Sequence, residues 1–221
     1  MDIDLTNQEL RVLGSLIEKE ITTPEYYPLS LNALMAACNQ KSNREPVMNL
    51  TEEEVSEALL SLRDKKLAWQ LSTAGGRVPK FEHNIRSLFT FSKAETAVLC
   101  VLMLRGAQTG GEIKGRAERM YSFSNLQEVE ETLKELSSRE DGPFVKELPR
   151  QPGKKEPRFI HLFSTMIIDS LEVSAPNSAE ATVPKNTTAD RLSDLEQEVK
   201  QLREELSLLK NEFNELKGQL E

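Results

Sequence analysis

A five-residue pattern occurs twice in this 221-residue chain and constrains its fold more than any other feature. Pro79-Lys80-Phe81-Glu82-His83 is matched by Pro157-Arg158-Phe159-Ile160-His161, and both histidines of the chain lie in the pattern. Each copy closes a strand–turn–strand signal. Leu67-Ala68-Trp69-Gln70-Leu71 precedes Gly75-Gly76 and the stretch 77–83; Phe144-Val145-Lys146-Glu147-Leu148 precedes Pro152-Gly153 and the stretch 156–163. Apolar alternation around Gly-containing turns predicts a β-hairpin in each half.

The residues upstream repeat as well. Segments 6–20 and 92–105 both open with a hydroxyl residue followed three positions later by glutamate, Thr6/Glu9 and Ser92/Glu95. That is the pattern of a capping box, and apolar residues at helical spacing follow it. Shorter helices are expected at 30–38 and 109–120. Third helices are expected at 51–66 and 124–139. Shifting the first of these by 74 places Val55 on Val129, Leu59 on Leu133 and Leu62 on Leu136, with Leu126 on the same apolar face. Three helices and a hairpin, taken twice, is the order of tandem winged helices. The expected fold class is therefore mainly α with small β-hairpins, α+β, with winged-helix domains at 1–88 and 89–169. Each half is of a size at which small domains fold alone.

Residues 170–188, rich in Ser, Thr, Ala, Pro and Asn, show no period and read as a flexible linker. The stretch 189–221 then carries a heptad seam. Leu192, Val199, Leu206, Phe213 and Leu220 fall at a; Leu195, Leu202, Leu209 and Leu216 fall at d. An amphipathic helix docked on the globular part is the alternative, but it calls for a wider apolar stripe than these polar e and g positions provide. In a parallel pair, g meets the following e′ as Arg191–Glu196, Glu198–Arg203, Glu205–Lys210 and Glu212–Lys217, all attractive. The expectation is a parallel coiled-coil homodimer, with Phe213 at an a position leaving a trimer open.

Charge is segregated. The formal net charge is −8, of which the first half holds −3, the second half zero, the linker −1 and the heptad segment −4. Hydrophobic content of 38% suits two small cores with solvated segments. A DNA-reading winged helix usually inserts its third helix in the major groove. Here those helices open with Glu52, Glu53, Glu54 and Glu57, and with Glu128, Glu130 and Glu131, which repel phosphates. The cations lie on the wings instead. Arg77 and Lys80 are on the first, and Lys146, Arg150, Lys154, Lys155 and Arg158 are on the second. These seven are the candidate nucleic-acid contacts. Lys114, Arg116 and Arg119 form a further basic group at 112–120.

Nothing in the sequence reads as catalysis. There is no phosphate loop, nucleophile signature or paired histidine with metal spacing, so no enzyme, cofactor or metal is expected. The repeated histidines read as hairpin packing, and Trp69 as core at the wing start. Two cysteines 62 positions apart, Cys38 and Cys100, read as reduced core residues. The acidic start and the lack of a long apolar run predict a cytoplasmic protein with no membrane partner. In the polar stretch 38–50, Asn39, Gln40, Lys41, Asn43 and Arg44 suit either an ordered connection or a partner contact.

LTNQELRVLGSLIEKE, TTPEYYPLSLNALMAACNQKSNREPVMNL, AGGRVPKFEHN and PRFIHLF together resemble the YceH-like family of uncharacterised bacterial proteins, over about residues 4–165. The resemblance implies tandem winged helices in a bacterial cytoplasmic protein and carries over no catalytic or binding residue. Two functions are therefore expected to compete: a dimeric DNA-associated or transcription-regulatory protein using basic wings, and a protein–protein interaction scaffold with an unidentified partner. Tandem winged helices serve both.

Overall fold

Helix starts are set by short polar motifs. Thr6, Thr51, Ser92 and Thr109 each accept the amide of the residue three positions on, and the carboxylate of Glu9, Glu54, Glu95 or Glu112 accepts the cap residue's own amide in return. These four reciprocal caps satisfy amides that a helix end otherwise leaves orphaned. The computed structural model describes residues 3–71, 78–150 and 156–165. The expectations for Arg77, Lys154, Lys155, the linker and the heptad seam lie outside the described residues.

The first half runs α1 (Asn7–Thr22), a single 3₁₀ turn (Pro24–Tyr26), β1 (Leu29–Ser30), α2 (Leu31–Cys38), α3 (Glu52–Asp64), β2 (Ala68–Leu71), β3 (Lys80–His83) and a one-turn α4 (Ile85–Leu88). The second runs α5 (Lys93–Arg105), α6 (Gly110–Ala117), α7 (Leu126–Ser138), β4 (Val145–Leu148) and β5 (Arg158–His161). The fold is α+β: helices with two small antiparallel sheets, the first in the order β1-β3-β2 and the second pairing β4 with β5.

The repeat persists in the pairing. Phe81 of β3 faces Leu29 of β1, and Phe159 of β5 forms an isolated antiparallel bridge with Gln108. His83 stands opposite Ala68 and His161 opposite Val145. Val55, Leu59 and Leu62 of α3, and Val129, Leu133 and Leu136 of α7, are all buried as their shared spacing predicts. Complete burial of one such aliphatic side chain is worth about 1.5–3 kcal/mol.

Two residues depart from expectation. Leu126 is 42% exposed because it is the first residue of α7, ahead of the turn that reaches the core. Trp69 is 45% exposed rather than core. Strand alternation begins at Ala68, which faces inward with His83, so Trp69 and Leu71 point to the opposite side.

One core runs through both halves. The opening helices α1 and α5 pack on each other, with Gly14 against Leu104 and Met103. The Cys100 thiol, 3.4 Å from the Gly14 carbonyl oxygen, marks the same contact. Every residue from Glu95 to Leu104 is buried, because α6, α7 and β5 cover the rest of α5. The polar connection between α2 and α3 joins this contact. Asn39 exchanges two 2.8 Å hydrogen bonds with the Leu50 backbone, and the Glu45 amide donates to the Leu104 carbonyl at 2.9 Å. Arg44 is buried and grips both carboxylate oxygens of Glu18 at 3.2 and 2.6 Å. The connection is thus an ordered part of the body.

The two ends of the body also meet. The Leu5 amide donates to the Phe163 carbonyl at 2.7 Å, and the Thr165 amide to the Asp4 carboxylate at 2.8 Å. Among the described residues no helix is long and apolar enough to cross a membrane.

Candidate nucleic-acid interface

The first hairpin is anchored at its root. His83 Nε2 lies 3.0 Å from Glu20, and its amide donates to the Tyr27 hydroxyl at 2.7 Å. Arg86 reaches the same Glu20 carboxylate at 2.9 Å. The hydrogen bond from His83 lowers the Glu20 carboxyl below its ordinary value; burial opposes this, and the charges of His83 and Arg86 add to it. With β3 fixed in this way, its pairing decides what faces out. Lys80 is opposite Leu71, and Trp69 is opposite Glu82. The outward face of the hairpin therefore carries two cross-strand pairs, Trp69 with Glu82 and Leu71 with Lys80. Val78, 55% exposed, continues the apolar character toward the tip.

The second hairpin treats its cations differently. Lys146 and Arg150 are exposed. Arg158 is turned inward: Nη1 donates to the Ala107 carbonyl at 2.6 Å and meets Glu112 at 3.2 Å. Burial pushes the Glu112 carboxyl up, but the Thr109 amide and the charges of Arg158 and Arg116 outweigh it and hold the group below its ordinary value. Arg158 thus ties β5 to the start of α6. Its counterpart in the repeat, Lys80, instead stays on the outer face.

His161 is also used differently from His83. Its Nδ1 accepts the Phe163 amide at 3.3 Å, and burial lowers its pKa to about 4. Both histidines are buried at hairpin roots, as packing requires. The buried thiols of Cys38 and Cys100 have their pKa values raised, chiefly by burial. No group of three or more His, Cys, Asp or Glu side chains among the described residues is placed to hold a metal ion.

The third helices present carboxylates. Glu52, Glu53 and Glu57 on α3, and Glu130 and Glu131 on α7, are exposed. Glu54 and Glu128 are partly spent on local structure, in the α3 capping box and in bonds from the Tyr121 hydroxyl and Ser124 amide, each 2.7 Å. The exposure of Trp69 was missed by sequence reasoning. The signal available was the small Ala68 beside it, whose size suits the crowded face of the hairpin.

A family model described as "Protein of unknown function, DUF480" matches residues 5–154, from the segment before α1 past β4 and ending before β5. The chain belongs to this family. It is similar to UPF0502 protein Ent638_1581 of Enterobacter sp. (strain 638), 49% identical over 213 residues, 95% of this chain and 97% of the relative. It is equally similar to UPF0502 protein YceH of Salmonella paratyphi C (strain RKS4594), 49% identical over 214 residues with the same shares covered. Matches of this length extend past residue 165, where the family resemblance first noted in the sequence ends.

Proposed function

We propose that the chain is a non-enzymatic tandem winged-helix protein that associates with DNA as a coiled-coil homodimer, through its wings rather than its third helices. The observation that carries this reading is the outward face of the first hairpin, where Trp69, Leu71 and Lys80 share one side of the strands. An exposed aromatic with a cation diagonal to it across the strands suits a sugar or base edge next to a phosphate, with Lys80 rather than Glu82, which pairs with Trp69, toward the backbone. The exposed carboxylates at the starts of α3 and α7 favour a docking mode that keeps those helices away from phosphates. Arg150 and Lys146, exposed on the second hairpin, extend the same kind of surface, with Arg77, Lys154 and Lys155 as the sequence-derived tip contacts. The heptad seam from Leu192 to Leu220 supplies two-fold pairing, and the bacterial family supports a cytoplasmic setting.

Titration of the full chain against a random duplex at two salt concentrations tests the proposal. Binding near 50 mM salt that weakens steeply toward 200 mM, roughly as the number of phosphates neutralised, is expected. Lys154→Glu with Lys155→Glu, and separately Lys80→Glu, then weaken it. Absence of binding at the lower salt rejects the DNA reading. Leu202→Asp with Leu209→Asp in the full chain is expected to convert a dimer to a monomer in sedimentation.

A second reading, a protein-interaction scaffold without direct DNA contact, draws on the apolar exposure of Leu60, Trp69 and Val78, each at least 45% exposed. Capture of a protein partner that Trp69→Ala abolishes, together with no duplex binding, favours it.

A further inference from the structure

Three arginines surround one cavity. A cavity of about 170 Å³ opens between α1, α5 and α6, lined by Arg105, Arg116 and Arg119 over an apolar floor that includes Val101 and Leu104. Glu18 is the one carboxylate residue in that lining. It is already committed to Arg44, whose fully buried side chain holds both its oxygens, with Lys19 at 3.9 Å. The arginines themselves are weakly neutralised. Arg105 donates to the side-chain oxygen of Asn43, a neutral acceptor. Arg116 Nη2 is 3.8 Å from Glu112, a carboxylate that Arg158 holds more closely at 3.2 Å. Arg116 Nη1 is buried without a hydrogen-bond partner among the described residues. Arg119 is exposed and has no hydrogen bond or ion pair among them. Burial, and next the charge of Arg116, pull the Arg105 guanidinium below its ordinary value, against the opposing charges of Glu45 and Glu18.

Guanidiniums that converge on a recess without matching carboxylates leave donors to be satisfied by an anion. A phosphate suits them best, because its several oxygens accept the paired donors of more than one guanidinium. A cavity of about 150 Å³ holds a benzene-sized molecule, so this recess has room for a phosphate with a short organic body. The floor beneath supplies an apolar wall for that body.

We infer that this cavity is a binding site for a small organic phosphate, seated between the opening helix of the first half and α5 and α6 of the second. The site is independent of the DNA reading, since it uses neither hairpin.

The test is calorimetric titration of the full chain with pyrophosphate and with glycerol 3-phosphate, at ionic strength held constant with sodium chloride. Saturable binding with a Kd tighter than about 1 mM is expected. Arg119→Gln, at an exposed position, is expected to weaken it about tenfold or more, in keeping with the strength of charge-assisted hydrogen bonds. Gly115→Leu keeps every charge and fills the recess. Gly115 lines the cavity, and a Cβ there meets nothing within 4 Å, so this variant is expected to fold and to lose binding. If wild-type protein shows no saturable binding below about 10 mM, the site is rejected. If Gly115→Leu binds as the wild type does, the ions are attracted to the surface charge and the cavity assignment fails. Should Gly115→Leu not fold, the Arg119→Gln result decides by itself. A random duplex added in the titration is expected to leave the glycerol 3-phosphate affinity unchanged; competition assigns the arginines to a nucleic-acid backbone instead and overturns the small-molecule site.

Discussion

Gly14 of α1 stands so close to Leu104 of α5 that a Cβ on the glycine would lie 2.9 Å from the leucine Cδ2. Met103 Cβ would be 3.3 Å away, and both neighbours are buried with little room to retreat. A helix gains about 1 kcal/mol when glycine becomes alanine, whereas overpacking a filled core costs about 1–3 kcal/mol. Gly14→Ala is therefore expected to be nearly balanced. Gly14→Val, with two more methyl groups, is expected to lose about 2 kcal/mol or more in urea unfolding. A stabilised Gly14→Val protein rules out the close α1–α5 contact.

The Arg44–Glu18 pair is expected to be among the costliest to break. Its arginine side chain is fully buried and also donates to the Ala37 and Asn43 carbonyls at 3.1 and 2.9 Å. Removing one member of such a pair leaves a partly buried carboxylate and two carbonyls without their donor. Arg44→Ala should cost about 3–5 kcal/mol. Lys41→Ala, exposed on the same connection, should stay within about 0.5 kcal/mol of wild type in the same measurement.

Acid sensitivity follows from His161. An unfolded histidine takes up its proton near pH 6.5, but the buried imidazole does so only at about 4. Between those values the unfolded state binds more protons, so stability falls as pH falls through that window, by up to about 1.4 kcal/mol per pH unit. Melting temperatures at successive pH values should show this slope, and His161→Gln should flatten it. The Glu20 carboxyl acts lower in pH. Its value is depressed in the folded state, so its stabilisation is present above the unfolded carboxylate value and is lost as pH falls through the folded one.

The two arginines of the second hairpin should separate stability from surface function. Arg158→Ala strips the Ala107 carbonyl and Glu112 of a donor and should cost about 1–3 kcal/mol. Arg150→Ala, at an exposed position, should leave unfolding within about 0.5 kcal/mol of wild type. Equal losses in the two variants count against the inward role of Arg158.

Much of this fold is legible residue by residue because the signals are local. Thr6 with Glu9 and Ser92 with Glu95 mark helix starts through bonds that span three residues. The repeated Val, Leu and Leu of α3 and α7 mark buried faces through period alone. What stays hidden is contact between distant segments. The α1–α5 packing had a trace in the sequence: Ala97, Cys100, Val101 and Leu104 make α5 apolar on nearly every side, the mark of a helix covered all round. Gly14 is the matching trace on α1. The arginine-lined cavity showed only as the basic group of Arg116 and Arg119, because Glu18, Arg105 and Arg119 meet only after these helices have packed. The orientation of Trp69 depended on a one-residue choice of strand register, which apolar spacing alone leaves open.

The bonds from Leu5 to Phe163 and from Thr165 to Asp4 have a consequence for the nascent chain. During synthesis Asp4 and Leu5 find these partners only after nearly the whole body that lies between them has been made. Until then Leu5, 1% exposed in the finished protein, lacks the carbonyl that fixes it. The body is thus a closed circuit whose last stitch joins its beginning. A permutant of the body alone, residues 3–165, with these two positions linked and the chain opened at an exposed loop, should keep the same core while changing the order in which it is sewn shut.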